Sequence, residues 1–530
     1  MTFMGRLENA INDRKKLTEN QAVGYVTTGK SLLDMNFAVG SMRQWSEDEI
    51  IKNYVKVYYE NPLLAVKWLF YLRDIRGAGM GERRVFRICM KWLVLNHMDY
   101  VVSVIGLIPE YGRYDDWMCL LDTEAKDIIL DNINKQLQKD TLAMFAGENV
   151  SLLAKWLPSC NTSSDKTRRM AHIIYTGIGM NEKQYRKTLS KLRSYIDVAE
   201  VKMSSGNWQD IDYSSLPSRA NLIYARAFLR NDEKRRKAFL DELNKGNVTI
   251  NADTLFPGDI VSKYYEKRYG WSGKLRSRDD ALEGLWKSLP DYTQGDGSTL
   301  VVRDGSGSMN VKVGNTSVTA LDVSTALAIY FAEHSKGEFH NKFITFSSTP
   351  QMIDMSGALS LRDKLEICSA HSDYTNTDIQ AVFELILNTA VNNKLSQDEL
   401  PKNILIVSDM EFDMAIDLRG TYGYSSYHNS VCVSERADAQ EAGIDTLFES
   451  IGKEYKKYGY DMPRLIFWNV CSRTNTIPLR ENKAGVVLVS GFNPAVYNMV
   501  LTDELNPYKC LLGQINAARY DAVEAALTAS

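Results

Sequence analysis

Residues 299–309 read TLVVRDGSGSM, and this stretch decides the fold of the C-terminal half. The run Thr299-Leu300-Val301-Val302 has the composition of a buried strand. It leads directly into Asp304-Gly305-Ser306-Gly307-Ser308, a D-x-S-x-S pattern on a glycine-rich turn. One carboxylate and two hydroxyls, spaced two residues apart, converge there on a single point. Oxygen-only donors of this kind suit a hard divalent cation such as Mg²⁺. Gly305 and Gly307 let the chain turn without a Cβ clash. Taken alone, the hexamer also fits an ordinary Ser/Gly/Asp turn. The metal reading therefore needs ligands from other segments.

Two later segments offer them. His371–Asp378 (HSDYTNTD) precedes the apolar-periodic run Ile379, Val382, Phe383, Leu385, Ile386, and Thr375 is its candidate hydroxyl ligand. Asp373, Thr377 and Asp378 read better as helix-capping residues. Asn403–Val407 (NILIV) is a second buried-type strand, and it runs into Ser408-Asp409, a second carboxylate. Strand, D-x-S-x-S, helix, T-x-T, helix, strand, Asp is an order that resembles the von Willebrand factor A domain and its metal-ion-dependent adhesion site, over residues 297–530. The resemblance implies a metal site of Asp304, Ser306, Ser308, Thr375 and Asp409, with one coordination position open to an acidic protein partner. Arg303 departs from the family, which has an apolar or small residue at that place. The expected strands lie near 299–303, 342–346, 403–408, 464–470 and 484–489. The expected helices lie near 319–335, 376–391 and 436–458. Ile416–Cys432 is rich in Tyr, Ser and Gly and reads as a loop that shapes partner access.

Residues 1–290 read as short amphipathic helices punctuated by Gly and Pro, as in Val55–Leu72, Val85–Leu95 and Ala220–Leu229. No strict period is visible, so an α-helical repeat domain, solenoid or ring-like, rests on helix content alone. Leu72–Arg84 (LRDIRGAGMGERR) and Ile108–Trp117 (IPEYGRYDDW) resemble segments of the TROVE domain of Ro ribonucleoproteins, where an A domain also follows a helical part. Lys155–Ser159, Tyr185–Arg193, Asn251–Val261, Ser408–Asp413 and Phe467–Val470 carry a closer resemblance to an uncharacterised bacterial, plant and viral family of the same layout. The expected class is therefore α + α/β, with a TROVE-like domain over 1–290 and a Rossmann-like A domain over 297–530. For the Arg-rich turn around Gly77, the plain reading is a helix connection with Arg76 and Arg83 on carbonyls or Glu82.

Net charge is −3, but it is unevenly spread. Residues 151–250 carry 18 Lys+Arg against 10 Asp+Glu, whereas the chain after residue 300 is acidic. Lys183, Lys187 and Lys191 fall at i, i+4, i+8, with Arg186 and Arg193 beside them and Lys166, Arg168 and Arg169 shortly before. Such a row suits phosphate contacts with a small non-coding RNA, the partner the Ro resemblance implies, and Tyr185 and Tyr195 suit base stacking. A solvated helix face with core tyrosines is the alternative. A second functional alternative is a metal-dependent protein-interaction module with no RNA role, structural or host-interacting if the source is a virus.

Other classes find no support. The seven cysteines are scattered singly, so neither a zinc site nor a disulfide framework is expected. No H-E-x-x-H, G-x-S-x-G or phosphate-loop motif occurs. No apolar run reaches the ~20 residues of a membrane span, and residues 1–16 lack a secretory layout. A cytoplasmic, monomeric binding protein without membrane contact or catalysis is the expectation.

Overall fold

The structure is a computed structural model that describes residues 14–266, 274–293, 298–346, 349–371, 377–413, 445–502 and 504–529. Two compact units emerge. One comprises Met1–Glu49 with Leu255–Gln514, the other Ile50–Thr254 with Ile515–Ser530. This division differs from a single boundary between 290 and 297, because short flanking segments bury their apolar residues where a core already exists. Asn469 donates to the Phe37 carbonyl (2.8 Å), Gly40 N–H donates to Ser490 Oγ (2.8 Å), and helix Pro257–Tyr264 packs on helix Ala320–His334.

The first unit is α/β. A short antiparallel hairpin joins β1 (Lys15–Leu17) to β2 (Val23–Tyr25). A six-stranded sheet follows, built from β3 (Thr299–Asp304), β4 (Lys342–Phe346), β5 (Gln351–Asp354), β6 (Asn403–Ser408), β7 (Arg464–Asn469) and β8 (Val486–Ser490), in spatial order β5-β4-β3-β6-β7-β8. All pairings are parallel except β4–β5. β3, β6, β7 and β8 are near-continuous buried runs, as a sheet covered on both faces requires. Phe467 and Trp468 are neighbours on β7 and point to opposite faces. Trp468 meets Phe331 of helix Ala320–His334, and Phe467 meets Phe448 of helix Leu447–Lys457, whose own neighbour is Phe383 of helix Ile379–Asn393. The sheet is therefore doubly wound. Five strands fall where the sequence places them. The antiparallel edge strand β5 is additional, and its exposed Met352 and flanking charges gave no apolar signal.

The second unit is built of helices and connecting loops, with no strand among its described residues. Val55–Leu72 is two helices, Glu47–Glu60 and Pro62–Arg73, because Asn61 caps the second (accepting from Leu64 N–H, 3.0 Å) and Pro62 occupies its first turn. Arg84–Tyr111 is long and apolar enough to cross a membrane by length and composition. Its helix breaks at His97 (φ −143°, ψ 42°), and Val85, Phe86, Cys89, Met90, Leu93 and Val94 lie in the unit's core.

Leu72–Arg84 and Ile108–Trp117 meet in this core. Arg73 is 2% exposed and gives its Nε to Asp116 (2.8 Å), which also takes Arg87 Nε (2.7 Å). Asp74, equally buried, accepts Arg519 Nη2 (2.9 Å) and the Tyr520 hydroxyl (3.1 Å) from the C-terminal helical segment. The Arg-rich turn is thus a helix connection, but its anchors are Arg73 and Asp74.

Candidate metal centre

β3 and β6 are adjacent and parallel, with Arg303 opposite Val407. Their carboxyl ends release Asp304 and Ser408-Asp409 side by side. The chain leaves β3 toward β4 on one side and returns to β6 on the other. That reversal is the topological switch point where doubly wound sheets open a crevice.

Asp304 and Asp409 are both fully buried. Asp304 Oδ1 accepts the Ser306 N–H (2.9 Å), and Oδ2 accepts the Ser408 hydroxyl (2.5 Å). Ser306 and Ser308 hydroxyls are 2.9 Å apart, and Ser308 also hydrogen-bonds Asp409. Asp409 Oδ1 accepts the Glu411 N–H (3.2 Å), and Oδ2 accepts Arg473 Nη2 (3.3 Å). Burial pushes the Asp304 carboxyl up, against the hydroxyl donors that favour its charge. Burial and then the Asp304 charge push Asp409 up to about 7. Two buried carboxylates with two hydroxyls between them are short of positive charge, and that donor set fits a hard divalent cation. Among the described residues there is no cluster of three or more His, Cys, Asp or Glu placed for a metal, so the hydroxyls are integral to this reading.

Four further residues shape the site. Met410 sits at φ 61°, a left-handed conformation a Met rarely adopts. Ser408 Oγ accepts its N–H (3.0 Å) and so holds the turn that presents Asp409. Glu411 is buried, and its carboxylate accepts from Ser472 Oγ (3.0 Å) and from the N–H groups of Arg473 (2.8 Å), Thr474 (2.9 Å) and Glu19 (2.8 Å). It ties the hairpin of β1 and β2 to the loop after β7. Arg473 bridges Asp409 and Glu19 (Nε–Oε2 2.7 Å). Only the Ser408–Asp413 segment carried a sequence signal. Arg473 lies 64 positions from Asp409 and had none.

Thr375 and Ile416–Cys432 lie outside the described residues. Asp378 caps helix Ile379–Asn393 through the Ala381 N–H (3.1 Å). Thr377 does not cap; its hydroxyl donates to Asp413 (3.0 Å).

The basic row divides. Lys183, Arg186, Lys187 and Lys191 are exposed on helix Glu182–Tyr195, and Lys166, Arg168 and Arg169 are exposed on helix Asp165–Gly177. Arg186 lies 3.7 Å from Glu182, and Arg168 pairs with Asp165. Arg193 stands apart: its guanidinium is spent on the Ala154 carbonyl (2.8 Å), the Leu157 carbonyl (2.7 Å) and Ser159 Oγ (2.9 Å). Tyr185 is fully buried with its hydroxyl on the Pro158 carbonyl (3.0 Å), so it is a core residue and not a stacking platform. Tyr195 is 40% exposed.

Two family models match the chain, and the border between them at residue 298 does not coincide with that of the two compact units. Residues 298–512 match a family model described as a domain of unknown function, DUF7788, and residues 18–106 and 176–298 match another, DUF2828. The chain is similar to an uncharacterized protein of Acanthamoeba polyphaga mimivirus, 28% identical over 532 aligned residues that cover 93% of this chain and 86% of that protein.

Proposed function

We propose that the sheet-bearing unit is a von Willebrand A-like module that binds a divalent cation, Mg²⁺ in the first instance, and through it a carboxylate of an acidic protein partner. The observation that carries this reading is the meeting of Asp304, Ser306, Ser308 and Asp409 at the carboxyl ends of β3 and β6. The hydroxyls are neutral, so much of the cation's demand for negative charge falls on what fills its open position. Binding, not catalysis, is what this donor set is suited to. Asp304→Ala is expected to abolish Mg²⁺-dependent capture of the partner in a pulldown while the circular dichroism spectrum stays unchanged. Capture that survives both this change and EDTA counts against the reading.

A second reading concerns the helical unit, for which a TROVE-like helical-repeat scaffold with Ro-like RNA binding is the proposal. The exposed row Lys183, Arg186, Lys187, Lys191 favours it. Phosphate contacts along that row give affinity that falls steeply with salt. Reversing three charges, as Lys183→Glu/Lys187→Glu/Lys191→Glu, is expected to remove a discrete set of RNAs that co-purifies with the wild-type protein. No enriched RNA in the wild type leaves the metal-dependent module as the whole function.

A further inference from the structure

Three segments that stand out in the sequence converge in the helical unit on one guanidinium. Arg113 belongs to Ile108–Trp117, and its guanidinium lies 4.8 Å from the ring centre of Trp156, in Lys155–Ser159. Leu72–Arg84 supplies Arg73 and Arg83. Stacking on an indole holds a guanidinium in one plane and leaves its edge donors free. The turn that carries Trp156 is itself fixed. Arg193 donates to the Ala154 and Leu157 carbonyls and to Ser159 Oγ, and the Tyr185 hydroxyl donates to the Pro158 carbonyl.

Arg113 is partly buried, yet among the described residues its side chain meets no hydrogen-bond acceptor and no carboxylate within ion-pair distance. The acids around it serve other cations. Asp116 accepts Arg73 Nε, Arg87 Nε and only the backbone N–H of Arg113. Asp115 pairs with Arg87 (2.9 Å) and stands 3.7 Å from Arg83. Lys155, beside Trp156, is drawn to Glu200 (3.8 Å). Burial and then Arg73 pull the Arg113 guanidinium below the usual arginine range; Asp115 opposes them, and Arg83 and Arg219 add to them. Arg83 and Arg219 are exposed, so a ligand can reach this cluster from solvent.

We propose that Arg113 and Arg83 form a binding site for a phosphate monoester, with Trp156 as the platform that orients the Arg113 fork. A carboxylate brings one charge and two coplanar oxygens. A phosphate monoester brings nearly two charges near neutral pH and three outer oxygens, which suit donors arriving from two guanidinium groups. The site uses no residue of the metal centre or of the lysine row, so it goes beyond both readings above.

The test is isothermal titration calorimetry of the full chain with inorganic phosphate and with acetate, at equal ionic strength and in EDTA so that the cation site stays silent. Wild type is expected to bind phosphate and to give no binding heat with acetate. Arg113→Met is expected to lose about tenfold in phosphate affinity, the weight of one charged hydrogen-bonding partner. Arg113→Lys keeps the charge without the fork or the stack and is expected to recover only part of it. Adenosine monophosphate and an end-phosphorylated RNA oligonucleotide, set against adenosine and the hydroxyl-ended oligonucleotide, separate the two sources of such a group. Tighter binding of either phosphorylated form upholds the site and names its ligand. Wild type that takes acetate as readily as phosphate, or binds neither, overturns the inference, and no variant is needed to see it. Phosphate affinity unchanged in a folded Arg113→Met places the anion elsewhere and overturns it too.

Discussion

Asp116→Ala is expected to destabilise the helical unit by about 3–5 kcal/mol, the usual consequence of stripping one partner from a buried ion pair. Asp116 is fully buried, and its two oxygens hold three donors: Arg73 Nε at 2.8 Å, Arg87 Nε at 2.7 Å and the Arg113 N–H at 2.9 Å. Arg87 retains Asp115 at 2.9 Å and is partly exposed, so it survives the change. Arg73 is sealed in the core and, among the described residues, has its ion pair with Asp116; without it, the more distant charge of Asp115 is what remains. Burial already pulls its guanidinium below the usual arginine range, with Asp116 opposing. The site has no slack either, since a Cβ on Gly112 would stand 2.4 Å from Asp116 Oδ2. Guanidinium-chloride denaturation of the full chain, followed by the fluorescence of neighbouring Trp117, reads the loss. Arg73→Met/Asp116→Leu removes both charges and is expected to recover most of it. A midpoint for Asp116→Ala within error of wild type means that the pair does not hold this core together.

This pair marks where the sequence could be read and where it could not. Leu72–Arg84 and Ile108–Trp117 stood out in the sequence as paired, unusual segments, and in the structure they interlock. The sequence points to Arg76 and Arg83 as the anchors of the helix connection around Gly77, because nothing local distinguishes a buried Arg73 from an exposed Arg83. The partner, Asp116, is 43 positions away. The sheet was legible for the opposite reason. A parallel strand buried on both faces is a short continuous apolar run, and β3, β4, β6, β7 and β8 each show one. The edge strand β5 is half exposed and shows none.

The candidate site divides the same way. Asp304, Ser306 and Ser308 share one turn, and their spacing was itself the signal. Asp409 needed only the strand before it. Arg473, Glu411 and the Glu19-Asn20 turn of the β1–β2 hairpin are assembled by long-range contact. Asn20 Nδ2 reaches the Glu411 carbonyl at 2.7 Å across 391 positions. No local pattern announces such an approach. For the basic helix, i, i+4 spacing placed Lys183, Lys187 and Lys191 correctly on one face. It could not foresee that Arg193 turns inward to clamp the Ala154–Ser159 turn, because backbone carbonyls leave no trace in composition.

Asp409→Asn is expected to reverse the order of melting temperatures between EDTA and Mg²⁺. In EDTA at pH 8 the wild type holds two buried, adjacent carboxylates. Burial and then the Asp304 charge push Asp409 upward, which means that the ionised pair strains the fold. Arg473 at 3.3 Å offsets part of this, and Ser408 and Ser306 stabilise only Asp304. Asparagine keeps the shape and still accepts the Glu411 N–H through its carbonyl, but carries no charge. The variant should therefore melt higher than wild type in EDTA, by the equivalent of about 1–3 kcal/mol. With saturating Mg²⁺ the wild type gains the free energy of cation binding and should overtake it, while the variant stays where it was. Asp304→Ala removes the same repulsion but also opens a hole and frees the Ser408 hydroxyl, so it is the poorer probe. Differential scanning fluorimetry of the two proteins in both conditions is sufficient. A variant that melts below wild type in EDTA would show that the Asp409 charge serves Arg473 and the fold. A wild type whose melting ignores Mg²⁺ would remove the cation from the site altogether.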